Sequence, residues 1–249
     1  MAGAVAAPGL RVGERLIRAD AAAVAEAAAG RVVVAADAAI RAGGRFRLAL
    51  SGGRTPGLLY RLLGGAWRER VDWSRVHVYF VDERAVPPTD PASNFRLARE
   101  CLIDPAGVPP THVHRMKGEY PDLEVAVVEY EARLDRALDL LILGVGEDGH
   151  TASIFPGSPL IEERTRRVAV VTDAPKPPSR RLTLTARALI EATGALVLAT
   201  GTEKAAAVAA ALEGAADPRQ VPARLLRERT WCLDRAAAAR LADAGGAAG

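Results

Sequence analysis

The chain has 249 residues, of which 49% are hydrophobic and 25% charged, and this is enough to bury the core of one α/β domain. The two cysteines, Cys101 and Cys232, are too few for a disulfide framework and fit no zinc-binding spacing. The net charge is +3, but the basic residues are scattered and aromatic residues make up only 4%, so nucleic-acid binding is not indicated. No apolar run is long enough to span a membrane, and residues 1–10 lack the charged start of a signal peptide. We therefore expect a cytoplasmic protein with no membrane or nucleic-acid partner.

In chain order, the first element is a helix predicted from a cap at Asp20 to about Ile40. A further helix is predicted from Pro121 to about Ala137. Apolar runs typical of buried strands lie at residues 46–50, 76–81, 140–143, 168–171 and 195–199. Because such runs alternate with helical segments, they predict an α/β fold with a Rossmann-like, mainly parallel sheet and helices on both faces. We expect a single domain over residues 1–249, with a frayed tail from about residue 244.

The glycine-rich segment 144–153, which follows the apolar run 138–143, is the strongest candidate for catalysis. A strand that leads into a glycine-rich turn places polar side chains at the carboxyl edge of the sheet, where open α/β folds bind ligands. Asp148 and His150 are therefore candidates for an acid/base pair. The two residues are too close in sequence to be assumed partners in space, so Asp148 could instead bind substrate hydroxyl groups.

The same segment also matches the dinucleotide-binding pattern G-x-G-x-x-G through Gly144, Gly146 and Gly149, with Asp173 at about the spacing of a ribose-binding acid. A dinucleotide site needs a helix that begins at the third glycine, but Pro156 and the following residues interrupt the chain within two turns. The sequence therefore favours a catalytic turn over a cofactor site.

A second polar turn follows the predicted strand 46–50. Two adjacent glycines and two hydroxyl groups at a helix start, where Pro56 is placed to begin the helix, are typical of an anion cradle. The alternative is an ordinary strand-to-helix turn. The turn consists of Ser51, Gly52, Gly53, Arg54 and Thr55.

A third polar segment, at residues 82–84, follows the predicted strand 76–81. Arg84 is a candidate ligand for a phosphate or carboxylate, and Asp82 is a candidate base or ligand for a substrate hydroxyl. The alternative is a solvated loop, and for Glu83 taken alone we prefer that alternative. Ser93 and Asn94, further along, resemble the start of a helix.

Two more basic residues are candidates for phosphate binding. Lys204 lies between a predicted strand and a predicted helix, although a lone lysine in a first helical turn is often solvent-exposed. Arg181 is a weaker candidate of the same kind. No metal site is predicted, because the nearby pair His112 and His114 lacks a third ligand and a second shell. His77 lies within a predicted strand, where a core or edge histidine is expected.

Taken together, these segments resemble the 6-phosphogluconolactonases of the glucosamine-6-phosphate isomerase/6-phosphogluconolactonase family. The resemblance runs from about residue 20 to 235 and rests on five motifs in order, at residues 51–56, 81–84, 93–94, 144–157 and 181–185. It implies a glucosamine-6-phosphate deaminase-like fold. It also implies hydrolysis of 6-phosphoglucono-δ-lactone to 6-phosphogluconate in the oxidative pentose phosphate pathway, with no cofactor or metal and a small-molecule phosphosugar lactone as substrate.

Two alternatives to the lactonase come from the same fold. Glucosamine-6-phosphate deaminases are similar at the glycine turn and at Asp148-Gly149-His150, but their ring-opening glutamate is matched here by Phe155. Arg84 also stands where those enzymes have a tyrosine, and both differences favour the lactonase. A non-catalytic sugar-phosphate sensor is the other alternative, and the intact Asp148 and His150 argue against it.

The resemblance and the chemistry of lactone hydrolysis together suggest roles for individual residues. His150 is expected to be the base that activates water and then the acid that protonates the ring oxygen. Backbone N–H groups of the 144–149 turn, or Arg84, are expected to stabilise the oxyanion. Phosphate binding is expected at the 51–55 turn together with Lys204 and Arg181. We expect a monomer or a small homo-oligomer.

Overall fold

Nine strands form two sheets in the computed structural model, which describes residues 10–242. The strands are β1 (Arg15–Arg18), β2 (Phe46–Leu50), β3 (Val76–Phe80), β4 (Asp82–Arg84), β5 (Leu140–Gly144), β6 (Val168–Val171), β7 (Arg181–Leu184), β8 (Gly194–Ala199) and β9 (Thr230–Asp234). Six of them form a parallel sheet in the order β1-β9-β8-β5-β2-β3. The predicted mainly parallel sheet is confirmed, and the tail predicted from about residue 244 lies outside the described residues.

The α-helices lie between these strands. They are α1 (Ala21–Gly43), α2 (Arg54–Gly64), α3 (Asn94–Ala98), α4 (Asp104–Ala106), α5 (Leu123–Glu131), α6 (Ala186–Glu191) and α7 (Ala205–Leu212). Every residue of β2 and of β8 is buried. Because successive residues of a strand point to opposite faces, both faces of the central sheet are covered. No helix within residues 10–242 is long and apolar enough to cross a membrane.

The first helix begins where the sequence predicts. Asp20 accepts a hydrogen bond from the backbone N–H of Ala23 at 2.9 Å, which caps α1. The helix ends at Gly44, whose φ of 74° is left-handed and whose N–H bonds to the carbonyl of Ile40. Helix α1 therefore runs about one turn beyond the predicted end.

Helix α5 is shorter than predicted. It begins after a cap at Asp122 but ends at Glu131 instead of reaching about Ala137. The buried guanidinium of Arg47 donates to the carbonyl of Arg133 at 3.1 Å and pairs with Asp135 at 2.8 Å. These contacts hold the chain after α5 against β2, so the helical periodicity does not continue.

The second sheet is antiparallel, in the order β4-β7-β6. The run 168–171, predicted as part of the alternating parallel pattern, forms β6 in this sheet. An apolar run of four residues does not by itself distinguish a parallel central strand from a short antiparallel one. The second sheet matters for function because it carries Asp82, Arg84 and Arg181 to the edge of the central sheet.

Candidate active site

A cleft of about 610 Å³ opens at the carboxyl ends of β2, β5 and β8. This is the edge where the loops that follow parallel strands meet and where open α/β sheets bind ligands. Residues from both polar turns, the second sheet and the loop after β8 line it. Of the predicted site residues, those that line the cleft are Ser51, Gly52, Gly53, Arg54, Thr55, Asp82, Arg84, His150, Arg181 and Lys204.

The predicted residue that does not line the cleft, Asp148, contacts His150 instead. Oδ1 of Asp148 lies 2.5 Å from Nδ1 of His150, and the turn between them is closed by hydrogen bonds from Gly146 N to His150 O and from Gly149 N to Gly146 O. Gly149 has a φ of 82°, which favours glycine. The pairing in space that sequence distance left open is therefore present.

The electrostatics of this pair fix its protonation. Partial burial would raise the pKa of the Asp148 carboxyl, but the hydrogen bond from His150 and the charge of that ring outweigh it and lower the pKa to about 2. An ionised carboxylate only accepts hydrogen bonds, so Nδ1 of His150 carries the proton. In the neutral imidazole, Nε2 is then the nitrogen able to take a proton.

Gly146 is required by the closeness of this pair. A Cβ built on Gly146 would lie closer than 3.0 Å to Nδ1 of His150 and to Oδ1 of Asp148. Any side chain at this position would displace the imidazole or the carboxylate. The glycine pattern of the turn is thus explained by the packing of two catalytic candidates and not by a pyrophosphate.

The cofactor alternative also fails on the backbone after Gly149. Thr151 and Ile154 form an isolated antiparallel bridge, and residues 151–158 are turns rather than a helix. A helix N-terminus that could hold a pyrophosphate is therefore missing from this segment.

Phe155 packs directly on the candidate base. Its ring centroid lies 4.6 Å from that of His150, and the guanidinium carbon of Arg181 lies 5.4 Å from the Phe155 centroid. Only 6% of Phe155 is exposed. The position matched to the deaminase glutamate therefore supplies an apolar contact that orients the imidazole, and no carboxylate.

Asp82 is buried and held from two sides. Its Oδ1 accepts from Nδ2 of Asn94 at 3.0 Å, and its Oδ2 accepts from Oγ of Ser153 at 2.7 Å. Both oxygens already have one partner, so the carboxylate is rigidly placed at the wall of the cleft. This arrangement suits a ligand for substrate hydroxyl groups better than a mobile base.

Glu83 contradicts the solvated loop preferred for it from the sequence. Its side chain is buried and accepts hydrogen bonds from Oγ of Ser93 and from the backbone N–H groups of Arg84, Asn94 and Phe95, at 2.7–3.0 Å. Burial raises the pKa of this carboxyl. The prediction failed because the carboxylate caps α3 from a different segment of the chain, a pairing that local sequence does not reveal.

The 51–55 turn has the properties of an anion cradle. The hydroxyl of Ser51 is buried and, within residues 10–242, has no hydrogen-bond partner. Gly53 has a φ of 113° and precedes the first turn of α2, where the N–H groups of Arg54 and Thr55 lack helical acceptors. Gly52 is needed because a Cβ there would overlap the side-chain amide of Asn94.

The two arginines of the second sheet differ in which of their N–H groups make hydrogen bonds. Arg181 donates from Nε to the carbonyl of Pro178 at 2.9 Å and from Nη2 to the carbonyl of Lys176 at 2.7 Å. Arg84 donates from Nη1 to the carbonyl of Ala92, but its buried Nε has no partner within the described residues. Nε of Arg84 is therefore a buried donor without an acceptor, on a residue that lines the cleft.

The cations at the rim are each placed by a carboxylate. Nζ of Lys204 lies 3.8 Å from Oε1 of Glu147, and Nη2 of Arg54 lies 3.3 Å from Oε1 of Glu203. The Arg54 side chain is 92% exposed, whereas that of Lys204 is 21% exposed. Lys204 is accordingly the better placed of the two to contact a bound anion.

Several residues of the site were missed at the level of sequence. Ser153 and Asn94 hold Asp82, and Asp234 accepts from the N–H of Gly201 at 3.0 Å. Lys176, in a proline-rich loop that the sequence marks only as a break, lines the cleft. Asn94 and Ser153 lie within the motifs at residues 93–94 and 144–157, but local sequence does not reveal that they hold Asp82, and no motif marks Lys176 or Asp234.

The other histidines lie away from the cleft, at the edge strand β3. Nδ1 of His77 and Nε2 of His114 are 3.1 Å apart, and the rings of His77 and His112 are stacked at 4.1 Å. Among the described residues there is no group of three or more histidine, cysteine, aspartate or glutamate side chains arranged to hold a metal ion.

A family model described as glucosamine-6-phosphate isomerases/6-phosphogluconolactonase matches residues 19–233. The chain belongs to this family. A family member, the 6-phosphogluconolactonase of Mycobacterium tuberculosis, is 41% identical over 232 residues, which cover 86% of this chain and 93% of the relative. The 6-phosphogluconolactonase of Rattus norvegicus is 39% identical over 209 residues, with coverages of 78% and 80%.

Solved structures agree with this family assignment. The 6-phosphogluconolactonase from Trypanosoma cruzi has a TM-score of 0.81 at 28% identity and covers 92% of this chain and 97% of its own. A monomeric glucosamine-6-phosphate deaminase has a TM-score of 0.79 at 24% identity, covering 91% and 99%. The second likeness supports the shared fold alone, so the choice between the two activities rests on the site.

Proposed function

We propose that this enzyme hydrolyses 6-phosphoglucono-δ-lactone to 6-phosphogluconate. The observation that carries the proposal is the Asp148–His150 pair, which borders the same cleft as an anion cradle and the basic side chains of Arg84, Arg181 and Lys204. A base beside an anion site is the arrangement needed to hydrolyse an ester that carries a phosphate. Relatives named 6-phosphogluconolactonase, 37–41% identical, support the same activity.

The phosphate of the substrate is placed at the 51–55 turn. The unpartnered hydroxyl of Ser51 and the N–H groups at the start of α2 are donors to phosphate oxygens. Lys204 adds a point charge to the same anion. Arg181, which is buried and lines the same cleft, contributes the positive charge of its guanidinium.

Hydrolysis begins when Nε2 of His150 takes a proton from water. The resulting hydroxide attacks C1 of the lactone, and the electron pair of the carbonyl moves onto its oxygen. Collapse of this tetrahedral species breaks the bond between C1 and the ring oxygen, which takes the proton from the imidazolium and becomes a hydroxyl group. The ionised Asp148 stabilises the imidazolium and keeps the required tautomer.

The charge that develops on the carbonyl oxygen needs hydrogen-bond donors. Gly146 and Gly149 use their N–H groups within the turn, which makes the unpartnered Nε–H of Arg84 the better candidate. One such donor typically lowers the activation barrier by about 3 kcal/mol. Asp82, held by Asn94 and Ser153, accepts from hydroxyl groups of the sugar.

Glucosamine-6-phosphate deamination is the alternative activity, and Phe155 argues against it. Ring opening in that reaction is assisted by a carboxylate, and the matching side chain here is apolar and buried against His150. A deaminase would need a carboxylate at this position, where this chain instead packs the apolar ring of Phe155 against His150.

Incubation with each substrate separates the activities. Freshly prepared 6-phosphogluconolactone and glucosamine 6-phosphate are each mixed with wild-type enzyme and with His150→Ala, and acid and ammonia release are followed. We expect acid release from the lactone alone, above the spontaneous rate measured without enzyme, and its loss in His150→Ala. Ammonia release would show that the protein is a deaminase. Release of neither product would favour the non-catalytic sugar-phosphate sensor.

The cellular setting is part of the same proposal. Cys101 and Cys232 are free thiols, which supports a reducing cytoplasm. A hydrophobic core that extends from residue 10 to 241 supports a single domain, and the enzyme is expected to work as a monomer or a small homo-oligomer without cofactor.

A further inference from the structure

Lys176 lies on the loop between β6 and β7, and Arg181 fixes that loop at the cleft. Arg181 donates to the backbone carbonyls of Lys176 and Pro178, at 2.7 and 2.9 Å. These two hydrogen bonds fix the backbone of the loop, and Lys176 lines the cleft. Substitution of that side chain therefore leaves the anchor of the loop in place.

The ammonium group of Lys176 is uncommitted. Lys204 and Arg54 are paired with Glu147 and Glu203, whereas Lys176 is exposed and makes no ion pair within the part of the chain that the structure describes. Its positive charge contributes to lowering the pKa of Asp148. The Arg181 guanidinium that holds the backbone of Lys176 lies 5.4 Å from the ring of Phe155, which packs on His150. Lys176 therefore borders the same end of the cleft as the Asp148–His150 pair.

Lysine is also rare in this chain. Only three of its 33 basic residues are lysines, and two of them, Lys176 and Lys204, line the cleft. The third, Lys117, pairs with Glu129 at 2.7 Å on the surface. Lysine offers a compact charge with three rotatable donors, whereas arginine presents a planar fork. Two of the three lysines of this chain thus line the cleft, where an ammonium group can meet a ligand oxygen.

We propose that Lys176 binds the C1 end of the ligand and Lys204 the phosphate end. The lysine ammonium would meet the carbonyl oxygen of C1 as its charge develops and then pair with the carboxylate of the product, while the proton transfers remain with His150. The inference rests on the proposed function, because it assigns an end of that substrate to each lysine. Lys176 would add the charge of its ammonium group to that of the Arg84 guanidinium, so that two cations face the C1 oxygen as it becomes anionic.

Two sugar phosphates that differ only at C1 test this assignment by binding alone. 6-Phosphogluconate carries a carboxylate at C1, and glucitol 6-phosphate carries an uncharged alcohol there. Calorimetry is carried out on the wild type, Lys176→Met and Lys204→Met, with Lys117→Met as the surface control. We expect Lys176→Met to weaken the binding of 6-phosphogluconate about 10-fold or more, since one charged hydrogen bond is lost. The affinity for glucitol 6-phosphate should not change. Lys204→Met should weaken both ligands, and Lys117→Met neither.

Equal weakening of both ligands by Lys176→Met would overturn the assignment by placing Lys176 at the phosphate. No weakening of either ligand would overturn it as well. These results are independent of turnover, so they are distinguishable from a failure of the proposed function, which would be an absence of acid release by the wild type. Where the wild type is active, Lys176→Met should lower kcat about 10-fold with a smaller change in KM, and Lys176→Arg should recover part of it.

Discussion

Oδ1 of Asp148 lies 2.5 Å from Nδ1 of His150, although the two residues are separated by a single glycine in the chain. The pair therefore depends on one turn and not on the packing of distant elements. Gly146, below the pair, leaves room for both side chains, and Phe155 packs on the imidazole ring. The geometry of the proposed catalytic pair thus lies in a short segment, and we expect changes within that segment to affect activity more than stability.

Asp148→Asn should lower kcat by at least about 100-fold, because an amide can donate to the imidazole and stabilise the wrong tautomer. Affinity for 6-phosphogluconate should change little, since Asp148 does not line the cleft. Steady-state kinetics and calorimetry measure the two effects. Asp173→Asn, at an exposed acidic residue, is the control. Full turnover by Asp148→Asn would show that the carboxylate has no part in the mechanism.

Gly146→Ala should reduce kcat about 10-fold or more while the protein still folds. The added methyl group would lie closer than 3.0 Å to both His150 and Asp148, so the pair must separate. Gly30→Ala is a matched control, because a Cβ at Gly30 in α1 meets nothing within 4 Å and alanine favours the helix. Kinetics together with thermal unfolding separate the two variants. Unchanged kcat in Gly146→Ala would mean that the pair tolerates a shift.

Continuous apolar runs were sufficient to predict four of the six strands of the parallel sheet, β2, β3, β5 and β8. The runs at 46–50, 140–143 and 195–199 coincide with β2, β5 and β8 to within one residue at each end, because strands buried on both faces are continuous apolar runs. Strand β1 and strand β9 were not predicted. The second sheet was also not foreseen, since β4 has the sequence Asp82-Glu83-Arg84 and reads as a polar loop.

The residues of the site likewise fall into two groups, those predicted from local sequence and those whose positions depend on contacts between distant segments. Polar residues that directly follow strands, such as His150, Ser51 and Lys204, were predicted because the carboxyl ends of parallel strands meet at one edge. Lys176 was missed because its position depends on a contact with Arg181. The contact between Ser153 and Asp82 was also not predicted, although Ser153 lies in the 144–153 segment. Local sequence carries no signal for such contacts.

Glu83→Ala should lower the free energy of unfolding by about 2–4 kcal/mol, because it leaves several buried donors without an acceptor. These donors are the Ser93 hydroxyl and the N–H groups at the start of α3. Glu83→Gln keeps one acceptor oxygen and should cost less. Urea unfolding gives both values, with Glu100→Ala, on the exposed side of the same segment, as the control. If the wild type and Glu83→Ala were equally stable, the hydrogen bonds of Glu83 would contribute nothing to stability, as expected for a residue in a solvated loop.

Acidification should destabilise the fold through His114. Burial, together with the charges of His77, Arg133, Arg47 and His112, lowers the pKa of His114 to about 4. The unfolded chain, with an ordinary pKa near 6.5, binds more protons than the folded chain between about pH 6.5 and pH 4, so stability falls as the pH drops through this window. Because this residue is partly exposed, we expect a loss of about 1 kcal/mol and not the full value of the shift.

Replacement of His114 by a residue that does not titrate tests this sign. His114→Gln removes the proton uptake of the unfolded chain at this position, so its free energy of unfolding should fall less than that of the wild type between pH 7.5 and pH 4.5. His77 has a lowered pKa from the same causes, burial first and then the charge of His112, and its neighbours Arg45, Arg47 and Asp135 remain in the variant. Part of the pH dependence should therefore persist in His114→Gln and disappear in the double variant with His77→Gln. Identical pH dependence in the wild type and the double variant would show that the acid sensitivity arises from carboxyl groups elsewhere and not from the histidines beside β3.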